Sequence, residues 1–132
     1  MDQVLESDHF VMEGDKSFAG KHLIVDMWEA KYLDNQEKLE SLIRKAISVS
    51  GAKLLHVHLH QFSSSGGVSG VAVLAESHLS VHTWPEKGYV AFDVFMCGKT
   101  HPEKTIEILA NGLKAGLVKT RLIRRGEKLQ SD

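Results

Sequence analysis

From Lys53 to Met96 the chain is a succession of short segments whose side chains change character at every second residue, and a period of two dictates a sheet. Lys53 to Phe62 sets Leu55, Val57 and Leu59 on one face against His56, His58 and His60 on the other. Ser63 to Gly67 has the composition of a turn. Val68 to Leu74 and Leu79 to Trp84 read as strands on either side of Glu76-Ser77. After a turn at Pro85 to Gly88, Tyr89 to Met96 places Val90, Phe92 and Val94 opposite Ala91, Asp93 and Phe95.

Helical spacing is confined to two stretches. Asp34 or Asn35 can cap a helix whose apolar stripe is Leu39, Leu42, Ile43, Ala46 and Ile47, with Gly51 as its stop. Pro102 opens a second helix carrying Ile106, Leu109 and Leu113, and Gly116 ends it. His22 to Trp28 is a first strand and Leu117 to Ile123 a last one, so the order is β-α-β-β-β-β-α-β. Residues 1–20 have no clean period and read as a loose N-terminal arm; residues 21–132 read as a single domain. The expected fold is α+β, a two-layer sandwich of a mostly antiparallel sheet with two helices on one face. The other sheet face is then open unless a partner covers it.

Composition closes several routes. With 16 basic and 17 acidic residues in 132, the net charge of −1 leaves no basic stripe for nucleic acid. No apolar run approaches the ~20 residues of a membrane span, and the acidic start MDQVLESDHF is unlike a signal peptide. The single cysteine, Cys97, cannot form an internal disulfide, which points to a reducing cytoplasm.

Four constellations compete for the chemistry. His56, His58 and His60 share a strand face and could hold zinc, but same-face neighbours ~6.5–7 Å apart are wide for one ion, and a half-polar strand face or a dimer surface is the better reading. Cys97, before Gly98, is either a small buried hydrophobe or, beside a histidine, a nucleophile or proton donor. Gly66 to Gly70 lacks the Lys-Ser or Lys-Thr pair and the following helix that a phosphate loop needs. Glu76 to Glu86 surrounds Ser77 with His78, His82 and Thr83, a candidate nucleophile with a base, yet without the glycines of a nucleophile elbow.

Val68-Ser69-Gly70-Val71, the block Glu76-Ser77-His78-Leu79-Ser80-Val81-His82-Thr83-Trp84-Pro85-Glu86, Gly88-Tyr89 and Asp93-Val94-Phe95-Met96-Cys97-Gly98 together resemble the short prokaryotic S-adenosylmethionine decarboxylase proenzymes. The resemblance spans about residues 20–125 and includes Gly20-Lys21-His22-Leu23. It implies self-cleavage between Glu76 and Ser77, with Ser77 becoming a pyruvoyl group that forms a Schiff base with the substrate amine and accepts electrons as carbon dioxide leaves. It also implies that His82 is the processing base, that Ser69 assists processing, and that Cys97 is the proton donor of the decarboxylation. Phe62 matches an aromatic that stacks on adenine, and Glu86 a carboxylate that holds the ribose hydroxyls. No metal is implied. The implied product feeds spermidine synthesis, and the implied assembly is a homodimer of processed protomers.

Two departures from the family pattern concern the substrate. Gln61 stands where the family has arginine, and Ser63-Ser64-Ser65-Gly66-Gly67 replaces a loop that usually carries a proline. The same pyruvoyl chemistry on arginine or ornithine is therefore an alternative, and a non-catalytic, histidine-rich, dimeric metal-binding protein is one of another class.

Overall fold

The structure is a computed structural model that describes residues 10–128. Two short strands, β1 (Val11–Glu13) and β2 (Lys16–Phe18), precede β3 (Gly20–Trp28). Helix α1 (Gln36–Ser50) leads to β4 (Leu54–Gln61), β5 (Val68–Leu74), β6 (Ser77–Trp84), a single 3-10 turn (Pro85–Lys87) and β7 (Tyr89–Cys97). Helix α2 (Glu103–Gly112) and β8 (Leu117–Arg125) complete the order. The fold is α+β, as expected. Its main sheet has six strands in the order β4-β5-β6-β7-β3-β8, and every pairing is antiparallel.

Local chemistry explains the element ends. Asn35 is the cap of α1, its side chain accepting from the Lys38 N–H at 3.0 Å. Gly51 closes the helix at φ 87°, a left-handed conformation that glycine adopts without steric cost. Helix α2 begins after Pro102 and ends at Gly112, earlier than Gly116 would place it. A Cβ on Gly112 would run into the Leu42 side chain, so the two helices touch there.

The core lies between the sheet and the helices. Leu23, Val25, Met27, Leu79, Val81, Val90, Phe92, Val94 and Met96 are buried against Leu39, Ile43, Ala46, Ile47, Leu109 and Leu113. Each of these side chains except Ala46 contributes roughly 1.5–3 kcal/mol on burial. Strand alternation sends the intervening residues to the far face, which no helix covers.

The loose-arm expectation is corrected over 11–18. These residues form the β1–β2 hairpin, registered Val11↔Phe18 and Met12↔Ser17, and Phe18 is fully buried. Glu13 ties the hairpin to the sheet through Lys21 at 3.0 Å and Arg124 at 3.2 Å. A three-residue strand has too few residues to display a period, which is why the sequence hid it. Residues 1–9 of the arm and 129–132 lie outside the described residues. Among the described residues no helix is long and apolar enough to cross a membrane.

Candidate active site

The register organises the uncovered face into rungs, because residues directly opposite one another share a face. One rung runs His56, Val73, His78, Phe95, His22, Ile123. The next is His58, Val71, Ser80, Asp93, Ile24, Arg121, and the third is His60, Ser69, His82, Ala91, Asp26, Lys119. Six histidines, chosen by alternation on three different strands, therefore share one surface.

Ser77 begins β6, after a two-residue turn in which Glu76 has φ 58°. That left-handed conformation is unfavourable for a residue with a side chain, and costs of order 1–3 kcal/mol. The strained torsion thus sits at Glu76, the residue whose carbonyl carbon is joined to Ser77 by the peptide bond. Cys97, the last residue of β7 and buried, reaches both sides of that peptide. Its backbone N–H donates to Ser77 Oγ at 3.3 Å, and its thiol donates to the Glu76 carbonyl oxygen at 3.1 Å. Ser77 Oγ and Cys97 Sγ are 3.7 Å apart. The hydroxyl is anchored, and the carbonyl it would attack is polarised.

A second group sits at the opposite end of β6. His82 Nδ1 and Ser69 Oγ are 2.9 Å apart, from directly opposed positions on β6 and β5. They line a cavity of about 260 Å³ together with Phe62, Ser65, Trp84 and Glu86. The loop that forms its rim is folded on itself: Gly66 N–H donates to Phe62 O at 2.8 Å, and Phe62 N–H to Gly67 O at 2.8 Å. Gln61 braces this loop by donating to Gly66 O at 3.1 Å and Asp34 O at 2.5 Å. Gly67 allows close approach, since a Cβ there would lie 2.8 Å from the Thr83 carbonyl.

The sequence-derived residues therefore fall into two groups. Ser77, Glu76 and Cys97 are together, and so are Ser69, His82, Phe62 and Glu86, but the groups are apart within one chain. Five residue steps of extended strand separate Ser77 from His82, about 16 Å.

The His56, His58, His60 triplet lies exposed along β4 and does not converge. Among the described residues, the histidines and carboxylates that gather are instead His22, His78 and Asp93. Asp93 Oδ2 accepts from His22 Nε2 at 2.5 Å and His78 Nε2 at 3.0 Å, and Ser80 Oγ donates to Oδ1. Burial works to raise the Asp93 carboxyl, but the bonds from Ser80, His22 and His78 outweigh it and hold the group below the usual carboxylate range. The sequence reading missed this cluster. Its only signal was Asp93 among the outward residues of an alternating strand, and pairing of β3 with β7 was needed to bring His22 to it.

Known proteins share this fold and these segments. The sequence pattern of the S-adenosylmethionine decarboxylase family matches residues 21–126. The S-adenosylmethionine decarboxylase proenzyme of Methanococcus vannielii is 49% identical over 110 residues, covering 81% of this chain and 89% of that protein. The proenzyme of Thermomicrobium roseum is 40% identical over 108 residues, covering 81% and 93%. The crystal structure of the adenosylmethionine decarboxylase from Aquifex aeolicus superposes with a TM-score of 0.76 at 26% identity, over 87% of this chain and 97% of that one. A pattern spanning most of the sheet and both helices, with full-length relatives and a solved neighbour in agreement, means that this chain belongs to the S-adenosylmethionine decarboxylase family.

Proposed function

We propose that the chain is a proenzyme that cuts its own backbone between Glu76 and Ser77 and, as a homodimer, decarboxylates S-adenosylmethionine. The observation that carries this is the double engagement by Cys97 of the peptide that follows the left-handed Glu76.

The maturation follows from these atoms. Ser77 Oγ bonds to the Glu76 carbonyl carbon while the carbon–nitrogen bond of the peptide breaks, leaving an ester and a free Ser77 amine. Negative charge on the carbonyl oxygen faces the Cys97 thiol, a donor at the place where charge develops. A base then takes the Ser77 α-proton, the Cβ–Oγ bond breaks, and Glu76 departs as a carboxylate. The remaining dehydroalanine becomes an imine, water hydrolyses it, and ammonia leaves residue 77 as pyruvoyl. The site fits such a group: Ser77 is at the cut, half-buried, with the Cys97 N–H and thiol beside it. Once formed, the pyruvoyl supplies an electron sink for loss of carbon dioxide. Cys97 holds a proton at Sγ within reach of position 77, as the return of a proton to substrate requires.

His82 and Ser69 complete this site from a second copy. A two-fold axis between facing sheets, running across the strands, lays the Ser77 end of one β6 over the His82 end of the other. The uncovered face carries exposed Val71, Val73, Trp28 and Trp84, apolar surface suited to such an interface. The cavity beside His82 supplies what a nucleoside requires, an aromatic platform in Phe62 and an acceptor carboxylate in Glu86. A basic amino acid has no use for the stacking surface, which is why S-adenosylmethionine is favoured over arginine and ornithine.

The test is intact-mass spectrometry of the incubated protein, followed by carbon dioxide release from S-adenosylmethionine, arginine and ornithine. Two fragments divided at Glu76/Ser77 and release from S-adenosylmethionine alone are expected. An uncut wild-type chain would return the protein to a binding role, and release only from ornithine or arginine would transfer the substrate.

A further inference from the structure

The His22, His78, Asp93 cluster is used by none of the steps above, and Arg125 decides what it is. Arg125 Nη1 lies 3.0 Å from His22 Nδ1. A guanidinium only donates, so Nδ1 of His22 accepts and the ring proton sits on Nε2. That proton faces Asp93 Oδ2 at 2.5 Å. A metal would need the Nε2 lone pair of His22 and would turn an Nδ1–H against the guanidinium, donor against donor. The cluster is therefore a hydrogen-bonded chain, Arg125 to His22 to Asp93, with His78 as the second donor to the same oxygen.

The chain crosses four adjacent strands, β8, β3, β7 and β6, and ends on His78, the second residue after the cut. On the β7 side the ladder of β6 begins at His78↔Phe95, so Ser77 lies just beyond it there and is registered only with Leu74 of β5. Before cleavage the turn through Glu76 tethers Ser77. After cleavage that tether is gone, and on the side facing β7 and Cys97 residue 77 is placed through His78. We propose that Asp93 is a positioning residue of the mature enzyme: through His78 it keeps the new chain start aimed at Cys97, and Arg125 keeps His22 in the tautomer that braces Asp93. This rests on the proposed self-cleavage.

The experiment has two independent arms. Asp93→Asn preserves shape and removes the charge that accepts from both histidines. Its self-cleavage half-time is expected within about threefold of wild type, with KM for S-adenosylmethionine within about threefold and kcat lower by at least about tenfold. Cleavage slowed as much as kcat, or kcat unchanged, overturns the assignment. The second arm uses the uncut Ser77→Ala chain, labelled with nitrogen-15 in its histidines. Long-range proton–nitrogen spectra should show His22 as the Nε2–H tautomer, and adding Arg125→Gln should release it to a mixture. An Nδ1–H tautomer in the parent, or stoichiometric zinc uptake with broadening of the His22 and His78 signals, overturns it as well. A wild-type chain that stays whole refutes the proposed function instead, and the tautomer arm still reads the network.

Discussion

Cys97 engages both sides of the Glu76–Ser77 peptide, its N–H donating to the Ser77 hydroxyl at 3.3 Å and its thiol to the Glu76 carbonyl oxygen at 3.1 Å. Cys97→Ala keeps the first contact and loses the second. One hydrogen bond is worth about 1 kcal/mol net, so the variant should still cut itself, about five- to tenfold more slowly on a gel time course. Cys97→Ser, which restores a donor, should recover most of the cutting rate. Decarboxylation should fall much further in the alanine variant, because the proton at Sγ is gone.

The distance between Ser77 and His82 leads to a complementation test. Ser77→Ala and His82→Ala chains should each remain whole when made alone. Produced together, a mixed dimer contains one complete site, formed by Ser77 of the His82→Ala chain and His82 of the Ser77→Ala chain. The His82→Ala chain should then be cut, and mass spectrometry tells the two apart. If it stays whole in the mixture, the second copy does not supply the base.

Phe62 lies on the rim of the cavity shared with Glu86, Ser69 and His82. A stacked base is worth ~1–3 kcal/mol. Phe62→Ala should therefore raise KM for S-adenosylmethionine about tenfold or more while leaving self-cleavage at the wild-type rate.

Tyr89 predicts an alkaline stability window. Burial, reinforced by the bond its hydroxyl donates to Asp26, pushes the phenol up from 10.0 to about 12. The folded state therefore favours the neutral phenol, and this contribution is complete below pH 10 and lost as pH rises toward about 12. Thermal melts should show wild type above Tyr89→Phe at pH 9, with the gap closing between pH 10 and 12. A gap that stays constant would show that the Asp26 contact does not couple to folding.

Period-two alternation from Lys53 to Met96 was enough to divide that segment into strands and to sort Val90, Phe92 and Val94 from Ala91, Asp93 and Phe95, because side chains on a strand can point only two ways. The 3-4 spacing of α1 and its Asn35 cap were equally legible, since both are local. The chemical identity of the Glu76-Ser77 turn came from a contiguous block. What alternation cannot express is which strand lies beside which. Only the sheet order, with β3 inserted between β7 and β8, brings His22 onto Asp93 and Arg125 onto His22. Likewise, Ser77 and His82 are near in sequence yet held at opposite ends of a strand, while Cys97, twenty residues on, folds back against Ser77. Extension along a strand separates sequence neighbours by about 3.3 Å per residue, and antiparallel pairing returns distant ones to contact; that is a tertiary decision.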